Sequence, residues 1–158
     1  MAVKQSSVLE WISTVVRLAM AGILIAAAIP KVQDIQQSII AVRAYRLLPE
    51  ITVKFVGTTL PFLELTLALF LLLGLFTRIS AIVWLVMMLG FMVGVAWVWY
   101  KGYSIDCGCF GGGGDVTEGS TNYPLHMMER VGFVVLGTWL LIWPRTKFSL
   151  DGWMRGGN

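Results

Sequence analysis

The chain has 158 residues, 57% of them hydrophobic and only 13% charged, with a net charge of +3 at neutral pH. So apolar a composition excludes an ordinary soluble domain and suits a bilayer as solvent. The basic residues are scattered singly, without the clustered or aromatic-interleaved stripe that tracks a phosphate backbone, so nucleic acid is not an expected partner.

The N-terminus lacks a compact apolar stretch ending in a small-residue cleavage site, and the first helix is expected to stay in place. That helix is the first expected span, residues 8–30, in which Arg17 reads as a side chain snorkelling to the headgroups and Lys31 as an ordinary helix-end charge. Next, Ile35, Ile39 and Val42 recur at helical spacing, with Gln36, Gln37 and Arg43 elsewhere around the wheel. This pattern predicts an amphipathic helix lying flat on the membrane, ended by Pro49. A second span is expected over residues 60–76, where Pro61 suits a first helical turn and leaves Glu64 near the mouth. Glu64 then has two readings, a complement to the helix dipole or the marker of a proton or substrate path. A short link around Arg78 requires an antiparallel hairpin into residues 81–100, twenty residues without a charge, which at about 1.5 Å per residue cover a core of about 30 Å. The fourth span, residues 127–143, opens on Glu129 and Arg130 and is followed by Pro144, Arg145 and Lys147. Trp11, Trp97, Trp99, Tyr100, Trp139 and Trp143 fall toward helix ends and read as interfacial anchors. The expected fold is an all-α membrane protein: a four-transmembrane-helix bundle with an interfacial amphipathic helix between spans one and two, one integral membrane domain over residues 1–158.

Both long connections then lie on one side of the membrane. Lys4, Arg17, Arg78, Arg145, Lys147 and Arg155 mark the terminal side, against Lys31, Arg43, Arg46, Lys54 and Lys101 opposite, a near-even division that barely orients the chain. Cytoplasmic termini are expected mainly because they put the two cysteines in an oxidising compartment.

Those cysteines carry the distinctive chemistry. In KGYSIDCGCFGGGGDVTEG, Cys107 and Cys109 are separated only by Gly108, which supplies the freedom for the sharp turn a disulfide would need. As a structural staple, so small a ring contributes only about 1.6 kcal/mol by loop-closure entropy, less any strain. A strained, exposed disulfide is instead oxidising and readily exchanged, which favours a redox pair over a structural bridge. Two thiolates suffice for linear Cu(I), but a closed tetrahedral zinc site needs more ligands, and His126 is the only histidine. Asp106 is expected to disfavour a thiolate at Cys107, and the N–H groups of residues 110–114 to cradle one at Cys109, making Cys109 the expected nucleophile. His126 is a candidate acid–base residue for exchange, with an interfacial histidine as the plainer reading. Gly111 to Gly114 follow no strand and precede no GK[ST], so they read as a flexible hinge and not as a phosphate loop.

Arg17, Gly22 and Lys31 around the first span, AYRLLP at Ala44–Pro49, PFLEL at Pro61–Leu65 and DCGCFG at Asp106–Gly111 together resemble the DoxX-like membrane proteins, and DCGCFG points to their MauE branch. The resemblance implies a four-helix protein of the bacterial cytoplasmic membrane associated with redox chemistry. It links the chain to maturation of methylamine dehydrogenase, whose small subunit is disulfide-rich and works outside the cytoplasm. Cys107 and Cys109 would then be a redox pair serving an exported disulfide-containing client through a thioredoxin-like extracytoplasmic partner. No cofactor motif is evident. The open alternatives are a quinone-linked oxidoreductase subunit like the DoxD proteins, a non-catalytic membrane anchor or chaperone subunit, and a transporter for a soft metal ion.

Overall fold

The computed structural model describes residues 7–155; Lys4, one of the charges on the terminal side, lies outside them. In chain order the elements are α1 (Ser7–Gln33), α2 (Ile35–Ala44), α3 (Glu50–Leu73), α4 (Thr77–Lys101), β1 (Ile105–Asp106), β2 (Gly114–Asp115), α5 (Tyr123–Ile142) and α6 (Leu150–Arg155). α1, α3, α4 and α5 are long and apolar enough to cross a membrane, which makes this a multi-pass membrane protein. α1 packs on α3 and α5, α4 on α5 and α3, and α2 on α3. The core between the spans is built from Met20, Leu24, Leu67, Leu71, Trp84, Met88 and Leu140. Trp84 is fully buried because its indole N–H donates to Phe133 O at 2.7 Å and because Gly137 leaves room for the ring. Outward-facing Val, Leu, Ile and Phe side chains cover the spans, as lipid contact requires.

The second spanning helix begins at Glu50, well before the expected crossing segment, so Pro61 and Glu64 lie in its interior and not in its first turn. A proline there has no N–H for the carbonyl one turn earlier, that of Gly57. Ser38 of α2 supplies the missing donor: its hydroxyl bonds Gly57 O at 2.8 Å. The absence of a side chain at Gly57 lets α2 approach, since a Cβ there would lie 2.7 Å from Ile39 Cα. α2 is thereby fixed to α3, with Asp34 capping its N-terminus through Gln37 N.

At the opposite end, α3 closes on Gly74 in the left-handed conformation, and the short turn into α4 is held by α6. The Asp151 carboxylate accepts from Phe76 N and Thr77 N, and Asp151 N donates to Gly74 O. Arg17 does not snorkel. It is 2% exposed and donates to Phe148 O at 3.3 Å and Lys147 O at 3.5 Å, because the chain beyond α5 folds back over α1 and closes the way to the headgroups.

Candidate functional site

The 102–122 loop is not a loose hinge: a short antiparallel pairing and contacts with α2 hold it. β1 and β2 pair antiparallel, Ile105 opposite Asp115 and Asp106 opposite Gly114, and the cysteines occupy the turn between them. Gly108 and Gly113 both have positive φ and both lie against Ala41 of α2, where an added Cβ would come within 2.6 and 2.4 Å of the Ala41 methyl. The glycines therefore let the turn press onto α2. Gln37 Nε2 donates to Gly113 O at 2.7 Å and Tyr45 Oη to Cys107 O at 3.0 Å, which completes the seam. The Asp106 carboxylate accepts from Gly108 N and Gly113 N, each at 3.3 Å, so its charge is spent on the turn.

Both thiols are free, and Arg130 of α5 meets them from beneath. Its Nη2 lies 2.6 Å from Cys109 Sγ and 3.3 Å from Cys107 Sγ, and the side chain is 2% exposed. With the helix starting at Tyr123, behind the Asn122 cap, Arg130 lies two turns inside the span and is not a charge at its edge. The hydrogen bond from the Cys109 thiol brings Cys107 down to about 6 against the opposing effect of burial; the Cys109 N–H, Arg130 and His126 add to the lowering. Cys109 moves the other way, pushed up by the hydrogen bond it gives, by its burial and by the neighbouring thiolate. Arg130 is nearer to Cys109, yet Cys107 ionises first, because one guanidinium serves both sulfurs and Cys109 is the more deeply buried. This is the reverse of the expected order, because the hydrogen bond that Cys109 gives to Cys107 is the largest influence on both thiols. The Tyr45 phenol is pushed up by burial and by the sulfur charges, so it remains a donor.

Below the thiols lies a second buried polar group. Lys31 Nζ is 2.7 and 3.0 Å from the two Glu64 carboxylate oxygens, with the side chains 6% and 2% exposed. Lys31 is in the last turn of α1, which continues through Pro30 to Gln33, but it is buried against Glu64 and not an ordinary helix-end charge, and Glu64 is deep in α3. Lys31 shares a small cavity of about 30 Å³ with Cys107 and Cys109. His126, at the start of α5, is turned to Glu129, with Nδ1 3.5 Å from Oε2, and reaches the thiols only as a charge that helps lower Cys107. The structure thus gathers Cys107, Cys109, Arg130, Tyr45 and Lys31–Glu64 at one end of the bundle and leaves His126 at the margin.

Arg130 and Tyr45 are the residues that sequence reasoning missed. The signal for Arg130 was present in Asn122 and Pro124, a cap and an early-turn proline that start the helix above the charge. Neither the search of curated proteins nor that of solved structures gives a match. Over residues 9–143 the chain matches the family model described as methylamine utilisation protein MauE, and it belongs to that family.

Proposed function

We propose that the protein is a membrane dithiol–disulfide relay supporting maturation of an exported, disulfide-containing protein of methylamine utilisation, and that it works through a thioredoxin-like partner on the extracytoplasmic side, with its termini in the cytoplasm. The observation that carries this reading is the single guanidinium held against both sulfurs, beside one accessible thiol lowered to about 6 and one buried thiol. A structural bridge has no use for a stabilised thiolate, whereas exchange depends on one. The family name supplies the link to methylamine utilisation.

In the oxidised protein, a partner thiolate attacks Cys107, the more accessible sulfur. The Cys107–Cys109 bond breaks, and Cys109 leaves as a thiolate beside Arg130. The partner's second thiolate then attacks its own sulfur in the mixed disulfide and expels Cys107, whose low pKa makes it a good leaving group. Two electrons pass to the relay, and the partner leaves as a disulfide.

The test is trapping. A partner stripped of its second cysteine should accumulate a reducible mixed disulfide through Cys107, and neither Cys107→Ser nor Cys109→Ser, which cannot form the Cys107–Cys109 bond, should oxidise the intact partner. Normal client disulfides in a Cys107→Ser/Cys109→Ser protein at normal abundance would overturn the relay.

A further inference from the structure

Buried charges have to be compensated, and at the cysteine end of the bundle they balance only when a thiolate is present. Among the described residues, three charged side chains are buried there: Lys31 of α1, Glu64 of α3 and Arg130 of α5. Lys31 and Glu64 neutralise each other. No carboxylate of the described residues pairs with Arg130, whose Nη2 is given to the two sulfurs and whose Nε has no partner. The remaining charges around the dithiol lie toward the surface and have partners of their own. Asp106 of β1 is exposed and accepts from two N–H groups of the turn, Asp115 of β2 meets Arg46 just beyond α2, and His126 and Glu129 of α5 face each other. Tyr45 of α2 is a neutral donor to Cys107 O. The charge that balances Arg130 is therefore the thiolate itself.

Oxidation removes that charge. In the reduced protein Arg130, Lys31, Glu64 and the Cys107 thiolate sum to zero. In the disulfide both sulfurs are neutral and only weak acceptors, so one buried guanidinium charge is left uncompensated. A charge that is paired in one redox state and stranded in the other draws the equilibrium toward the first. We propose that Arg130 makes this dithiol–disulfide couple an oxidising one and so biases the relay toward taking electrons from its partner, because reduction of the Cys107–Cys109 bond supplies the anion that the buried guanidinium lacks. The step balances with a partner that brings one thiolate and one thiol. The Cys107–Cys109 bond breaks, the partner's disulfide forms, two electrons pass to the protein, and the partner's thiol proton ends on Cys109 while Cys107 remains a thiolate. The reduced protein must then be re-oxidised by an acceptor more oxidising than itself.

This inference rests on the relay reading, and the experiment separates the two. The full-length protein in lipid nanodiscs is equilibrated at pH 7 with mixtures of reduced and oxidised glutathione, and its dithiol and disulfide forms are counted by alkylation. Arg130→Gln, which removes the charge and keeps a donor, should form the disulfide about tenfold more readily than wild type, equivalent to about 30 mV for two electrons. Arg130→Lys, which restores the charge, should stay close to wild type, and so should Arg17→Gln at the other end of the bundle. Wild-type protein supplies a readout that does not depend on how any variant folds. If reduction leaves a thiolate beside Arg130, the equilibrium constant for reduction by glutathione should rise about tenfold from pH 7 to pH 8, because one proton is released per disulfide reduced. A constant that does not change with pH means that no thiolate balances the arginine, and overturns the proposal. Equal constants for Arg130→Gln and wild type also overturn it and leave the relay standing. Failure of diamide to close the Cys107–Cys109 disulfide in wild type overturns both.

Discussion

Two arginines, Arg17 and Arg130, are each 2% exposed, at opposite ends of the same bundle, and they do different things. Arg17 holds two backbone carbonyls of the chain beyond α5, groups that neither ionise nor react at any accessible pH. Arg130 holds two sulfurs, whose proton affinity it changes. Burial alone therefore does not mark a functional charge in this protein; the chemistry of the partner does. The cysteine end also holds the Lys31–Glu64 pair, whereas at the other end Asp151 is used to cap a turn.

The strongest way to break this comparison is to remove one member of the buried pair. Lys31→Met strands the Glu64 carboxylate and should cost about 3–5 kcal/mol of stability, read as a large drop in thermal midpoint in detergent, and Lys31→Met/Glu64→Leu should recover most of it. Recovery of stability without recovery of thiol oxidation would assign the pair to chemistry. Recovery of both would make it packing, like Arg17. Next in size, Arg17→Met should cost about 2 kcal/mol through two under-satisfied carbonyls and leave thiol alkylation rates unchanged. A change in those rates would abolish the distinction between the ends.

The smallest effect in energy is the most informative. Cys107 has a lowered pKa near 6, so its thiolate, and with it the rate of alkylation, should rise through about pH 6 and level off above it. Arg130→Met removes a stabiliser of the thiolate, so the profile should move to higher pH. A displacement of one unit corresponds to about 1.4 kcal/mol and lowers the thiolate fraction at pH 6 about fivefold. A profile that stays in place would leave the hydrogen bonds from Cys109, with His126, as the cause of the lowering.

The spans were legible because twenty charge-free residues in sequence have few alternatives to crossing a bilayer. The sulfurs of the candidate site stand out in the sequence, since a disulfide that closes only about three residues is a poor staple. Its partners were not. Pro61 reads as a helix start unless Ser38, on another element, is known to satisfy the carbonyl that proline orphans. Moving that start back to Glu50 converts Glu64 from a dipole complement into half of a buried pair, and Lys31 with it. Arg130 was read as an edge charge for the same reason, a helix start placed too late. The glycine run looked loose because Gly113 is fixed by Ala41 and Gln37, contacts that depend on tertiary folding.

The bond from Ser38 to Gly57 O also bears on how the protein is assembled. α3 enters the bilayer with an acceptor that its own helix cannot satisfy, and in hydrocarbon no water replaces the missing donor. α2 precedes α3 in the chain and carries the hydroxyl that repairs the defect, so insertion of α3 becomes complete when α2 docks. The same docking brings Ala41 to the place where Gly108 and Gly113 later settle. The residues that seat the thiols, Ser38, Ala41 and Gly57, thus all precede the cysteines in the chain.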